Sequence, residues 1–155
     1  MAESSVEVLG GAALLLSLEA FQKKLEKEAK QGLMAAALKV QSQAKQNLTD
    51  DGTVHMGRLR SSIRVRKAGD GTYVDVYTNV QYAAAVEFGS RPHFPPIAPL
   101  SDWSKKKLGT DLGYVIARKI SREGTPAKPY LFPALEAERP NFPEDVAAAA
   151  KAVFR

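Results

Sequence analysis

The chain has 155 residues, with 22 Lys and Arg against 17 Asp and Glu, a formal net charge of +5 and no cysteine. A length of this order folds as one domain around one core, and the missing cysteines exclude disulfides, thiolate metal sites and cysteine nucleophiles. A pI of about 9.5 and a mean hydropathy of −0.24 fit a mildly basic globular chain and not a dedicated nucleic-acid binder.

Val6, Glu7 and Val8 alternate as a short strand does, and Gly10 and Gly11 break the pattern. The apolar run from Val8 to Leu18 follows Glu3 and Glu7 instead of basic residues. It is also too short to span a bilayer, so neither a secretory signal nor a membrane anchor is expected. From Ala12 to about Leu48 the period becomes helical: Leu15, Leu18, Phe21, Leu25, Leu33, Ala36, Val40 and Ala44 fall on one face. Lys23, Lys24, Lys27, Lys30 and Lys45 mark the solvated face. Gly32, a weak helix former, predicts a bend or a break into two helices.

Asp50, Asp51, Gly52 and Gly57 predict a turn region. After Arg58-Leu59-Arg60-Ser61-Ser62, Ile63 and Val65 point one way and Arg64 and Arg66 the other, as on a strand. Gly69-Asp70-Gly71 supplies a hairpin turn, and Tyr73, Asp75 and Tyr77 alternate with Val74, Val76 and Thr78 on the return. Gln81–Phe88 predicts a short helix stopped by Gly89. Ser90–Pro99 holds four prolines and predicts an extended loop. Leu100–Leu108 and Leu112–Ile120 predict two helices parted near Gly109, and Gly124–Pro129 predicts a second extended loop. Tyr130–Glu138 predicts a short helix, and a last one starts near Asn141, with Pro143 in its first turn and Lys151 and Arg155 at its end. The fold class is therefore α+β: a long N-terminal helix packed on a small, mainly antiparallel sheet, followed by short helices and proline-rich loops.

The sequence offers little chemistry. His55, beside Asp50 and Asp51, lacks any metal-ligand spacing. No glycine cluster forms a phosphate loop, and Ser61, Ser62 and Ser90 lack a nucleophile-elbow context. No catalytic residue, cofactor or metal site is expected. Glu87 and His93 are the first residues to suspect if the chain were instead a small hydrolase. Arg60, Arg64, Arg66 and Lys67 on the hairpin, and Lys105-Lys106-Lys107 after Trp103, are basic features able to meet phosphates but not to read bases. They sustain the alternative of a small nucleic-acid-binding module.

The stretch Tyr82-Ala83-Ala84-Ala85-Val86-Glu87-Phe88-Gly89-Ser90-Arg91-Pro92-His93-Phe94 resembles the signature of a family of tailed-phage and prophage proteins. They are known variously as tail-completion, minor tail or head–tail joining (neck) proteins. Val6-Glu7-Val8 with its following helix, Gly57–Ile63, and Gly124-Thr125-Pro126-Ala127-Lys128-Pro129-Tyr130-Leu131-Phe132-Pro133-Ala134 resemble other parts of the same pattern, in order, from Val6 to Leu135. Residues 136–155 fall outside it as a C-terminal extension of the one domain spanning 1–155.

The resemblance implies a virion structural protein and not an enzyme. It implies a ring homo-oligomer, a hexamer or a related ring, at the head–tail junction or tail end. Such a ring is assembled in the host bacterial cytoplasm and docks on neighbouring neck, terminator or tail-tube proteins, with DNA passing through its lumen. The subunit interface would then draw on Glu87, Phe88, Arg91, Pro92, His93, Phe94, Pro95, Pro129 and Phe132, since aromatic and Arg anchors on a proline-stiffened loop lose little freedom on docking. Arg60, Arg64 and Arg66 would face passing DNA. The competing reading folds the loop onto its own domain, with Phe94 in the core and Arg91 paired to Glu87.

Overall fold

The computed structural model describes residues 11–50, 57–67 and 69–154. The expected Val6–Val8 strand, Asp51 and His55 lie outside these residues.

Helix α1 (Gly11–Asp50) is an unbroken run of 40 residues, about 60 Å long at 1.5 Å per residue. Its Ala, Leu, Lys, Glu and Gln content favours helix throughout. Side-chain hydrogen bonds one turn apart reinforce it, as Gln43 Nε2 donates to Asn47 Oδ1 at 3.0 Å and Gln46 Nε2 to Asp50 Oδ1 at 2.8 Å. The break into two helices expected at Gly32 does not occur, and that glycine is spent on packing. A Cβ there would lie 3.0 Å from Ala149 Cβ, from the Asp145 carbonyl oxygen and from Val146 Cα. All three atoms belong to the last helix, α7 (Phe142–Lys151). The buried positions of α1 are small or moderate in size: Gly32, Ala36, Ala37, Val40, Ala44 and Leu48. Small side chains let α7 lie close along α1, antiparallel to it. Lys39 bonds Asp145 at 2.6 Å, and Lys24 Nζ reaches the Val153 carbonyl at 3.1 Å.

A five-residue helix, α2 (Arg58–Ser62), returns the chain to α1 and delivers Leu59 and Ile63 to the core. Gln41 Nε2 donates to the Ile63 carbonyl at 2.7 Å. The hairpin follows as expected: β1 (Arg64–Lys67) pairs antiparallel with β2 (Val74–Tyr77), in a register that sets Val65 opposite Val76 and Arg66 opposite Asp75. Asp70 Oδ1 accepts from the Thr72 N–H at 2.9 Å and hydroxyl at 2.7 Å, and Gly71 takes φ 75°, which closes the turn. The hairpin lies against α1, with Val76 packed on the core. The expected α+β arrangement is thus what forms, with a sheet of two strands.

Helix α3 (Ala83–Phe88) stops at Gly89 with φ 75°. Helix α4 (Ile97–Leu108) begins earlier than the sequence suggests, taking in Pro99. A proline in the first turn forfeits only an N–H that has no partner within the helix. Helix α5 (Gly113–Glu123) returns beside it. The junction is tight. The buried Ser104 hydroxyl donates to the Ser101 carbonyl at 3.1 Å and accepts from the Leu112 N–H at 2.9 Å, and any Cβ on Gly113 would run into Ser101. Helix α6 (Leu131–Glu138) and α7, joined by the short turn Arg139–Asn141, both pack against α1.

Replacing Gly32 by Val should destabilise the chain by about 1–3 kcal/mol, since the methyl groups meet α7 backbone that cannot yield cheaply. Urea unfolding checks this. Asp111 holds a second expectation. Hydrogen bonds from Ser101, the Gly113 N–H and Lys105 lower its pKa from 3.8 to about 2. A carboxyl depressed on folding stabilises the native state above its unfolded value and loses that contribution as pH falls through the folded value. The Asp111 carboxyl resonance should therefore titrate near pH 2, with the α4–α5 junction loosening in that window.

Candidate functional site

Helix α6 starts at Pro129-Tyr130-Leu131-Phe132-Pro133 without a capping side chain of its own. The first N–H groups of a helix have no partner inside it, and Ser, Thr, Asp or Asn usually supplies one. Here Glu87 supplies it from α3. Its Oε2 accepts from the Tyr130 N–H at 2.8 Å and the Leu131 N–H at 3.0 Å, and its Oε1 accepts from the Phe132 N–H at 2.8 Å. Pro133 has no N–H to offer, so the carboxylate takes each donor that precedes it. Only 7 % of Glu87 is exposed. The charge is held by convergent amides and by the positive end of the helix. Glu87 therefore lies inside the chain, unpaired with Arg91, and presents no free oxygen for acid–base work.

The next residues cross the second proline-rich segment. The Ser90 N–H donates to the Thr125 carbonyl at 3.0 Å, the Thr125 N–H donates to the Ser90 carbonyl at 3.2 Å, and their hydroxyls meet at 2.9 Å. The Lys128 N–H donates to the Val86 carbonyl at 2.8 Å. A Cβ on Gly89 would stand 2.6 Å from the Thr125 carbonyl oxygen, and one on Gly124 would collide with the Ser90 carbonyl. Both glycines also have positive φ, so each is required twice over. The Glu-Phe-Gly-Ser and Gly-Thr stretches, 35 residues apart at Ser90 and Thr125, form one stem. The α4–α5 hairpin hangs from it, its two helices packed chiefly on each other.

Around this stem Phe88, Phe132 and Phe94 face outward. Phe88 is 78 % exposed and Phe132 60 %; together with Val80, Ala84 and Leu135 they line an apolar groove of about 420 Å³. Phe94 is 56 % exposed and leans on Tyr114 of α5, with ring centroids 6.5 Å apart, so it does not fill the core. Arg91, Pro92, His93 and Pro129 are exposed and Pro95 is half-buried. His93 Nδ1 lies 2.9 Å from the Arg91 carbonyl. The stem thus sets Phe88 and Phe132 on one groove, over the buried Glu87.

The hairpin arginines are placed differently. Arg66 bonds Asp75 at 2.8 Å and lies 5.0 Å over the Tyr77 ring, while Arg60 and Arg64 are exposed. Lys105 is bonded to Asp111 at 3.0 Å. Among the described residues no group of His, Asp and Glu could hold a metal ion, and no helix is long and apolar enough to cross a membrane.

The role of Glu87 was missed from sequence. The signal that could have found it is the missing cap: a helix opening Tyr-Leu-Phe-Pro requires an acceptor from elsewhere. In Glu87→Gln the amide group would face one of the backbone donors. This change should cost about 1–3 kcal/mol of stability and raise hydrogen exchange at the Phe132 amide, both readable on the purified chain.

Residues 12–89, half of the chain, match a protein family described as "Bacteriophage HK97-gp10, putative tail-component". No curated protein and no solved structure matches. The matched stretch runs from the start of α1 through the hairpin to the glycine that ends α3, and it contains the carboxylate that caps α6. The chain belongs to this HK97 gp10-like family of phage tail components, a structural family and not an enzyme family.

Proposed function

We propose that the chain, one domain over 1–155, is a ring-forming subunit at the head–tail junction or tail end of the virion. It completes the tail or joins it to the capsid, with DNA passing through the lumen. The observation that carries this reading is the exposed aromatic surface at Phe88, Phe132 and Phe94, set on a stem whose glycines and crossed hydrogen bonds fix its shape. Exposed aromatic and Arg side chains on a rigid frame are what interfaces are built from, because little freedom is lost on docking. A ring further needs two different surfaces per subunit.

In this reading Phe88, Arg91, Pro92, His93, Phe94, Pro95, Pro129 and Phe132 serve the contact between subunits, and Glu87 holds that surface in place from beneath. A hexamer is the closure the resemblance favours. The neighbours are neck, terminator or tail-tube proteins, and assembly takes place in the host cytoplasm. Arg60 and Arg64 are better placed than Arg66 to meet passing DNA, since the Arg66 charge is already spent on Asp75. Contact would be electrostatic and indifferent to sequence.

Particle mass in solution and electron micrographs, alone and with the neighbouring virion proteins, should give a closed ring. A chain that stays monomeric in both conditions refutes the reading, and a salt-sensitive shift of duplex DNA by that monomer would favour a nucleic-acid-binding module instead. Arg60→Ser with Arg64→Ser should leave rings intact and alter DNA passage or retention. Failure of assembly alone would count against the lumen placement.

A further inference from the structure

The outer end of α1 carries an apolar stripe that the described residues leave open. Leu14 and Leu15 stand four and three residues before Leu18, on one side of the helix, and Leu15 is 63 % and Leu18 53 % exposed. The stripe continues the seam along which α7 packs, since Leu18, Leu25 and Gly32 recur every seventh residue. Among the described residues, the last hydrogen bond from the C-terminal end to α1 is the one that the Val153 carbonyl accepts from Lys24. Beyond that point α1 projects for roughly another 15–20 Å. From Gly11 to Leu18 it has no ionisable side chain.

The groove at Phe88 and Phe132 matches it in chemistry. The one charged side chain in its lining, Glu87, has both oxygens engaged by backbone N–H groups. Docking the stripe there would desolvate no unpaired charge, the term that most often makes burial unfavourable. Geometry then decides the occupant. The groove sits beside the opposite end of α1, where Asn47 Nδ2 bonds the Tyr130 carbonyl at 2.9 Å. About 45–50 Å of continuous helix separates it from Leu15, so no chain can seat its own stripe in its own groove.

We infer that the Leu14–Leu15–Leu18 stripe of one copy docks in the Phe88–Phe132 groove of the next. This is a head-to-tail contact between two unlike surfaces, and it propagates around a ring. The inference rests on the ring reading and names the surfaces that close it.

The cysteine-free sequence allows a direct test. One chain carries Leu15→Cys and a second carries Phe132→Cys; the two are mixed and oxidised. The mixed pair should cross-link between copies, far more than either chain with itself. Leu15→Ser with Leu18→Ser should reduce the particle to monomer without moving the unfolding midpoint, whereas Leu16→Ser, on the other side of the helix, should leave the particle whole. Cross-linking of the Leu15→Cys chain to itself would show arms pairing with arms and overturn the inference. So would rings that lack the mixed cross-link, although the ring reading would then stand. A chain monomeric in every condition would remove both.

Discussion

A single carboxylate organises the half of the molecule that carries Phe88 and Phe132. Glu87 reaches from α3 to the start of α6 and accepts from the Tyr130, Leu131 and Phe132 N–H groups. That contact does three jobs through one side chain. It satisfies donors that would otherwise be buried and unmet. It fixes the angle between two short helices, neither of which is long enough to be stable alone. It also places Phe88 and Phe132 on the same rim, because each directly follows or belongs to the groups that are clamped. Tyr130, the largest fully buried side chain, is seated by the same contact, and its carbonyl is in turn held by Asn47 of α1. The link therefore runs from the long helix through the core to the exposed aromatics.

The other half depends on how closely two helices approach. α1 buries glycine, alanine and valine where α7 and the core lie against it, so the helix packs through its backbone more than through bulky side chains. The residues that a sequence scan marks as most hydrophobic, the leucines near the start of α1, are the ones left outside. Helical period tells which residues share a face; it does not tell whether a partner covers that face.

That distinction sets how much was legible in advance. The long helix, the hairpin with its Gly69–Gly71 turn and the stop at Gly89 were readable because period, turn chemistry and terminators are local signals. The tail-component class was readable from ordered short motifs. Gly32 was misread because a glycine kept for close packing and one that breaks a helix look alike in one dimension. Pro99 was read as loop because a proline inside the first helical turn differs from one in a loop only by its partners. Glu87 is expected from the sequence as a subunit-interface residue. Its burial follows from three amides that lie 43 to 45 positions further on, a separation no local pattern carries.

The stem has a consequence for how such a chain can vary. Residues between Ser90 and Thr125 leave the body and return to it at one bridge, and inside that span α4 and α5 chiefly satisfy each other. Lengthening, shortening or exchanging that hairpin would disturb neither the α1–α7 seam nor the core, provided that Gly89 and Gly124 remain. The stem acts as a socket: the body and its carboxylate clamp stay fixed while the inserted module is free to diverge, so one scaffold can be fitted to different neighbours.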